Sequence, residues 1–179
     1  MMTDPQQPAM PSLPDDVAVT HDHLLDKQVQ ITQPKTGYRV GSDAVLAAAS
    51  LTARRGRVLD LGAGVGGISL CIAHRLQSLQ ITAVEIDPTA AGLARYNAAV
   101  NGVHQRLRGV EADIAAMPAV MAGSFDQVVS NPPCHHKAGT RPRHAARAMA
   151  HMGVDTDLRD WVKAAVWAAK PRGRISFIC

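Results

Sequence analysis

Ser130-Asn131-Pro132-Pro133-Cys134 closes the apolar run Phe125-Asp126-Gln127-Val128-Val129, and its residue types are suited to chemistry. The run reads as a short buried strand, stopped by residues that cannot continue a ladder. Two consecutive prolines lack backbone N–H groups and hold φ near about −65°, so the chain leaves the sheet in one stiff direction. Asn131, ahead of a proline, is pushed to extended geometry and brings its amide to the strand end. The turn then offers two acceptors side by side, the Asn131 side-chain oxygen and the Pro132 carbonyl. Such a pair suits an amino group with two N–H donors. An exocyclic amine or a side-chain amide is a poor nucleophile because its lone pair is delocalised. Acceptors that hold both hydrogens steer that lone pair toward an electrophile and favour a pyramidal nitrogen, which stabilises the transition state. The bland alternative is an Asn-Pro-Pro turn that only ends a strand.

The elements around this turn alternate. Residues 57–61 read as a buried strand, followed by the turn Gly62-Ala63-Gly64-Val65-Gly66-Gly67 and a helix presenting Ile68, Cys71, Ile72 and Leu76 on one face. A second strand over 81–84 ends in Glu85, and Asp87-Pro88 supplies the N-cap and first-turn proline of a helix ending near Asn101-Gly102. A third strand over 107–111 carries Ala112-Asp113-Ile114 at its carboxyl end. Asp157 is expected to cap a last helix that buries Leu158, Trp161, Val162, Ala165 and Ala169 and stops at Pro171 and Gly173. A fifth strand follows over 174–179. This pattern predicts an α/β, Rossmann-like fold with a mainly parallel sheet and helices on both faces. Ligands of such sheets lie beyond the strand carboxyl ends, where Glu85, Asp113 and Asn131 would share one rim.

Upstream, residues 1–22 are rich in Pro, Gln and Asp and are expected to be a disordered lead-in. Residues 28–32 alternate polar and apolar, as an edge strand or hairpin arm would. A loop over 33–39 leads to Ser42 or Asp43, the expected cap of an Ala-rich helix running to about Ser50. Residues 23–179 therefore form one domain. At 179 residues and 46% hydrophobic, the chain can bury a real core. No apolar run approaches membrane-spanning length and no signal-peptide core is present. Three cysteines, an odd number without metal-ligand spacing, fit a reducing cytoplasm. A formal net charge of +4 permits a polyanionic partner.

Gly62, Gly64 and Gly67 satisfy the dinucleotide pattern G-x-G-x-x-G, so a nicotinamide cofactor must be weighed. Asp60 sits two residues before the first glycine, poorly placed beside a pyrophosphate and better placed near a cationic ligand. Asn-Pro-Pro also has no derivable role in hydride transfer. Both points favour S-adenosylmethionine over NAD. Taken with Asn131-Pro132-Pro133, the segment Val58-Leu59-Asp60-Leu61-Gly62-Ala63-Gly64 resembles the class I methyltransferases that modify exocyclic amines. More closely, Gln33-Pro34-Lys35-Thr36-Gly37-Tyr38-Arg39 and Asp43-Ala44-Val45-Leu46 resemble the tRNA1(Val) N6-adenine methyltransferase family, whose members modify the adenine next to the anticodon of valine tRNA. The likeness runs from about His23 to the last residue and includes Arg147-Ala148-Met149-Ala150-His151 and Asp160-Trp161.

The resemblance implies site roles. Gly62, Gly64 and Gly66 would let the backbone approach the cofactor, with Asp60 beneath them near its methionine amino end. Glu85 would take the ribose hydroxyls and Asp113 the cofactor's adenine amino group. The segment from Tyr38 and Arg39 to Asp43 would close over the methionine side, while Asn131, with Pro132 and Pro133, would hold the target amine. Two departures stand out. The family has Tyr or Phe after Asn-Pro-Pro to stack on a flipped base, and here the residue is Cys134. Stacking is worth about 1–3 kcal/mol per base, so target affinity is expected to suffer. The family chain also continues beyond the fifth strand into a strand hairpin, so this domain is expected to be incomplete at its carboxyl end, with an exposed edge.

Lys137, Arg141, Arg143 and Arg147, with His135, His136 and His144, form a basic loop directly after the turn. It reads as a phosphate-contacting arm for tRNA, or else as an ordinary solvated loop. The spacing of Cys134, His135, His136 and His144 matches no zinc pattern, so no metal is expected. Tyr38 reads equally as core packing. Three functions follow: an RNA N6-adenine methyltransferase; a methyltransferase of guanine N2 or of protein glutamine amides; and an inactive RNA-binding relative. The complete chain is expected to be a monomer, with no membrane association.

Overall fold

A computed structural model describes residues 11–13, 17–133 and 157–178. Its centre is a five-stranded sheet in the order β5-β4-β3-β6-β7, built from β3 (Gly56–Leu61), β4 (Leu79–Glu85), β5 (Leu107–Glu111), β6 (Phe125–Ser130) and β7 (Ala169–Phe177). Every pairing in it is parallel. Strand residues alternate between two cores, as a pleated strand dictates. Val58, Ile81, Ala83 and Val129 pack on the side of α1 (Ser42–Ala49), α2 (Gly67–Arg75) and α3 (Pro88–Val100). Leu59, Leu61, Val84 and Val128 face α4 (Leu158–Ala168) on the other side, with Met117 and Met121 beside or within the short 3₁₀ turns after β5. The expected Rossmann-like α/β architecture, with helices on both faces, is present.

Boundaries follow local chemistry. Asp87 caps α3 through a 2.8 Å bond from the Ala90 N–H, Pro88 opens the helix, and Gly102 at φ +66° turns the chain out of it. β7 crosses Pro171 because the ladder to β6 is interrupted there: Phe125 pairs with Ala169, and regular pairing resumes at Gln127 with Arg174.

Three expectations are corrected. The lead-in over 1–22 overlaps a strand: β1 (Val19–Leu24) pairs antiparallel with β2 (Val29–Pro34), so ordered structure begins at or before Val19. Alternation in β1 is masked by its polar residues, whose side chains bond to the rest of the hairpin, as His21 does to Thr32. Second, α1 is capped by neither Ser42 nor Asp43; Gly41 occupies the N-cap without a side-chain bond, and the Asp43 carboxylate turns elsewhere. Third, α4 buries Ala164, Ala165 and Ala168, with a half-buried Trp161 on the same stripe, while Leu158 and Val162 are exposed and Ala169 already belongs to β7. Residues 161, 164, 165 and 168 share a face by i, i+3, i+4, i+7 spacing; 158, 162 and 166 fall on the next stripe round.

The hairpin docks on α3 through two asparagines one turn apart. Asn97 Oδ1 accepts from the Thr32 N–H at 2.8 Å, and its Nδ2 donates to the Thr32 and Val65 carbonyls, both at 2.9 Å. Asn101 repeats the pattern on Gln30, accepting at 2.9 Å and donating at 2.7 Å. Side-chain amides thus satisfy the outer edge of β2 as a neighbouring strand would.

Candidate active site at the carboxyl rim of the sheet

Strand register sets the rim. Leu61 is level with Val84 on one side and Ser130 on the other. The next residues of these three strands, Gly62, Glu85 and Asn131, therefore emerge in one row. Glu85 is in turn level with Glu111, two residues before Asp113. Four predicted site elements are brought together by parallel pairing alone.

The turn between β3 and α2 needs its glycines. Gly62, Gly64 and Gly66 have φ of +70°, +55° and +89°, which side chains disfavour. A Cβ on Gly62 would lie 2.4 Å from the Trp161 ring, whereas around Gly64 a Cβ would meet nothing within 4 Å. The turn is thus packed from below by α4 and open above Gly64. The N–H groups of Gly62 and Ala63 both bond to the Val84 carbonyl at 2.9 Å, tying the turn to the adjoining strand.

The three acids take different positions. Glu85 is half-buried and already holds three backbone donors: Oε2 accepts from Gly64 N–H at 2.8 Å, and Oε1 from Ile86 and Asp87 at 2.9 and 3.0 Å. Of the roughly four lone-pair directions of a carboxylate, the remaining one lies at Oε2. Asp113 caps the first 3₁₀ turn by accepting from the Ala115 N–H at 2.8 Å, and is half-exposed. Asp60 is fully buried. Its Oδ2 accepts from the Ser69 N–H and hydroxyl at 3.0 and 2.7 Å, fastening α2 to β3, while Oδ1 has no partner among the described residues. Burial pushes its pKa up to about 7, against the two Ser69 donors that favour the charged form.

Asn131 is joined to residues nearly ninety positions earlier. Its Nδ2 donates to Asp43 Oδ2 at 2.5 Å and to the Tyr38 hydroxyl at 3.0 Å, and that hydroxyl itself donates to Asp43 Oδ2 at 2.5 Å. Tyr38 is 69% exposed, so it is not core packing; its hydroxyl meets the Asp43 carboxylate. Desolvation there, then the adjoining Asp43, raises the Tyr38 pKa well above its ordinary value. Burial also acts to raise Asp43, but the donors from Tyr38, Ala44 and Asn131 outweigh it and hold the carboxyl below its usual range. The Tyr38-to-Asp43 segment was legible as a unit near the site, but its contact with Asn131 was not. A side chain expected to cap a helix carries no sign that it points to another strand's end. Arg39, between them, faces away and pairs with Asp22 at 2.7 Å. Val40 packs on α2, where a Cβ on Gly67 would come 2.5 Å from its side chain.

Cys134, Lys137, Arg141 and Arg143, with the rest of the basic loop, lie outside the described residues. Among the described residues, no group of three or more His, Cys, Asp or Glu is arranged to hold a metal, and no helix is long and apolar enough to cross a membrane. Two clefts flank the hairpin, one including His21, Thr32 and Tyr96, the other Leu70, His74 and Arg106. Neither includes a residue of the glycine turn or the β6 turn.

The fold recurs among proteins of known structure. The backbone superposes on Pyrococcus horikoshii TYW2, solved in complex with MeSAdo, with a TM-score of 0.60 at 19% identity, covering 85% of this chain and 48% of that one. A predicted O-methyltransferase from Agrobacterium tumefaciens gives 0.58 at 23% identity, covering 75% and 60%. Both likenesses establish the fold. In sequence, the chain is 37% identical over 155 residues to the tRNA1(Val) (adenine(37)-N6)-methyltransferase of Aeromonas hydrophila, across 85% of this chain and 64% of that protein. The Haemophilus influenzae protein of the same name is 31% identical over 154 residues, across 85% and 66%. The chain therefore spans just under two thirds of the length of these relatives. The family model for the methyltransferase small domain matches residues 36–155, from the loop before α1 through both turns of the rim, and the chain belongs to that family.

Proposed function

We propose that this chain transfers a methyl group from S-adenosylmethionine to the N6 amino group of an adenine in tRNA, the adenine beside the anticodon of valine tRNA. The observation that carries the reading is the row Gly62, Glu85 and Asn131, with Asn-Pro-Pro as its third member. The residues present fit the cofactor. The turn is open above Gly64, where a Cβ would meet nothing, and Asp60, at the end of the strand that feeds the turn, has a buried carboxylate oxygen without a partner among the described residues, which suits a cation. When bound, S-adenosylmethionine supplies an electrophilic methyl group on a positive sulfur.

Glu85 holds a ribose hydroxyl through its remaining Oε2 lone pair. Asp113 accepts from the adenine amino group of the cofactor with the oxygen not used in capping. The Asn131 Oδ1 and the Pro132 carbonyl hold both hydrogens of the target amine, and Pro133 keeps the turn stiff so that the acceptors stay in place. The tRNA partner is supported by the names of the relatives and by the basic character of Lys137, Arg141 and Arg143. A tRNA-modifying protein of this composition works in the cytoplasm.

Mass spectrometry of nucleosides in tRNA from cells with and without the gene tests the reading. N6-methyladenosine in valine tRNA should vanish without the gene and return with the wild-type copy. It should not return with Asn131→Ala, whose affinity for S-adenosylmethionine should stay near that of wild type. An unchanged nucleoside profile would overturn the assignment.

A further inference from the structure

We infer that Asp43 and Tyr38 form a clamp that locks the side-chain amide of Asn131 with its oxygen toward the target amine, so that both are positioning residues of the site. The inference rests on the reading of Asn131 given above.

The argument is one of donors and acceptors. An Asn amide has an acceptor end and a donor end of nearly equal size, and a half-turn exchanges them at little steric cost. Only one orientation serves an amine substrate, because the other would set two N–H donors against two more. Asp43 removes the ambiguity. As a carboxylate it only accepts, so the Asn131 amide must turn Nδ2 toward it, as the 2.5 Å contact shows. Turning Oδ1 to that place would oppose two acceptors and orphan the Asn131 donors. Tyr38 supplies the second acceptor. Its proton is committed to Asp43 Oδ2, which leaves its oxygen lone pair facing Asn131 Nδ2 at 3.0 Å. The donor end of the amide is thereby held against two acceptors, and Oδ1 accepts no hydrogen bond among the described residues. The carboxylate itself sits in the first turn of α1, and Val40 anchors the intervening loop on α2, so the clamp is mounted on packed elements.

The clamp is tested by kinetics and by the nitrogen-15 spectrum of the Asn131 side chain, identified as the pair of signals absent from Asn131→Ala. In Asp43→Ala, kcat for methyl transfer to tRNA should fall about 10²-fold, the cost of a misplaced catalytic group. KM for tRNA should stay within about twofold. Asp43→Asn keeps an acceptor oxygen without the charge that forbids the half-turn, and should fall between wild type and Asp43→Ala. In the Asn131→Ala background, Asp43→Ala should cost nothing further. The Asn131 signals should move in Asp43→Ala, and to a lesser degree in Tyr38→Phe, toward the position of solvent-exposed amides and exchange faster with water. Signals unchanged in Asp43→Ala, or a full additional loss in the Asn131→Ala background, would overturn the clamp. A wild-type protein inactive on tRNA would defeat the adenine reading by itself, and the spectra would still decide the clamp.

Discussion

Asn97 is where a single substitution should be felt most. It is 1% exposed, and replacing it with Ala strands three backbone groups at once: the Thr32 N–H, the Thr32 carbonyl and the Val65 carbonyl. A buried polar group left without a partner costs about 1–3 kcal/mol, and a water entering the vacated volume would recover part of it. The expected loss is therefore about 3–5 kcal/mol, a large share of the roughly 5–15 kcal/mol that holds a domain together. Asn101→Ala is the internal control. It removes the same pair of bonds to Gln30, but at an exposed site where solvent replaces them, so about 1 kcal/mol is expected. Urea unfolding of both variants, followed by circular dichroism, gives the comparison directly through the midpoint at constant slope. Equal losses, or a loss below about 1 kcal/mol for Asn97→Ala, would show that the amide contacts do not anchor the hairpin.

Two further outcomes follow from the glycine turn and the buried acid. Gly62→Ala combines left-handed backbone with a 2.4 Å approach to Trp161, and should destabilise clearly more than Gly64→Ala, which carries only the backbone cost of about 1–2 kcal/mol; thermal unfolding that ranks them the other way would refute the packing argument. Asp60 has a folded pKa raised to about 7 from an ordinary 3.8, so the folded state binds the extra proton and stability should decline as pH rises from about 4 to 7. Asp60→Asn should flatten that decline, and parallel stability–pH curves for the two proteins would rule the assignment out.

The sheet was readable in the sequence because its strands are short apolar runs ended by unmistakable punctuation. Gly62-Ala63-Gly64, Asp87-Pro88 and Asn131-Pro132-Pro133 each fix a chain direction by backbone chemistry alone, without help from distant residues. Once the sheet is parallel, register carries Gly62, Glu85 and Asn131 to one rim, and the site outline follows from topology. The apolar face of α4 was not legible in the same way. Its sequence has two candidate stripes, 158–162–166 and 161–164/165–168; the former is all Leu and Val, the latter one Trp and three alanines. The sheet takes the alanines instead, which let the helix approach closely with Trp161 reaching beneath Gly62.

What the sequence concealed most completely was the purpose of its polar residues far from any motif. Asp43 looks like a helix cap, Tyr38 like packing, and Asn97 and Asn101 like ordinary helix-surface amides. Each is instead committed to a partner more than sixty positions away or to the far end of another element. Apolar patterning is periodic because burial depends only on which side faces inward, so it can be read locally. A hydrogen bond depends on the direction of one donor and one acceptor, and that direction is fixed only after the elements have packed. The rim supplies Asn131 with a position by strand pairing, but not with an orientation. Orientation comes from a loop and a helix turn outside the sheet, through a carboxylate that can only accept. A site laid out by β-strand register is thus completed by side chains whose role is decided at packing, which is why its outline can be read from sequence and its polarity cannot.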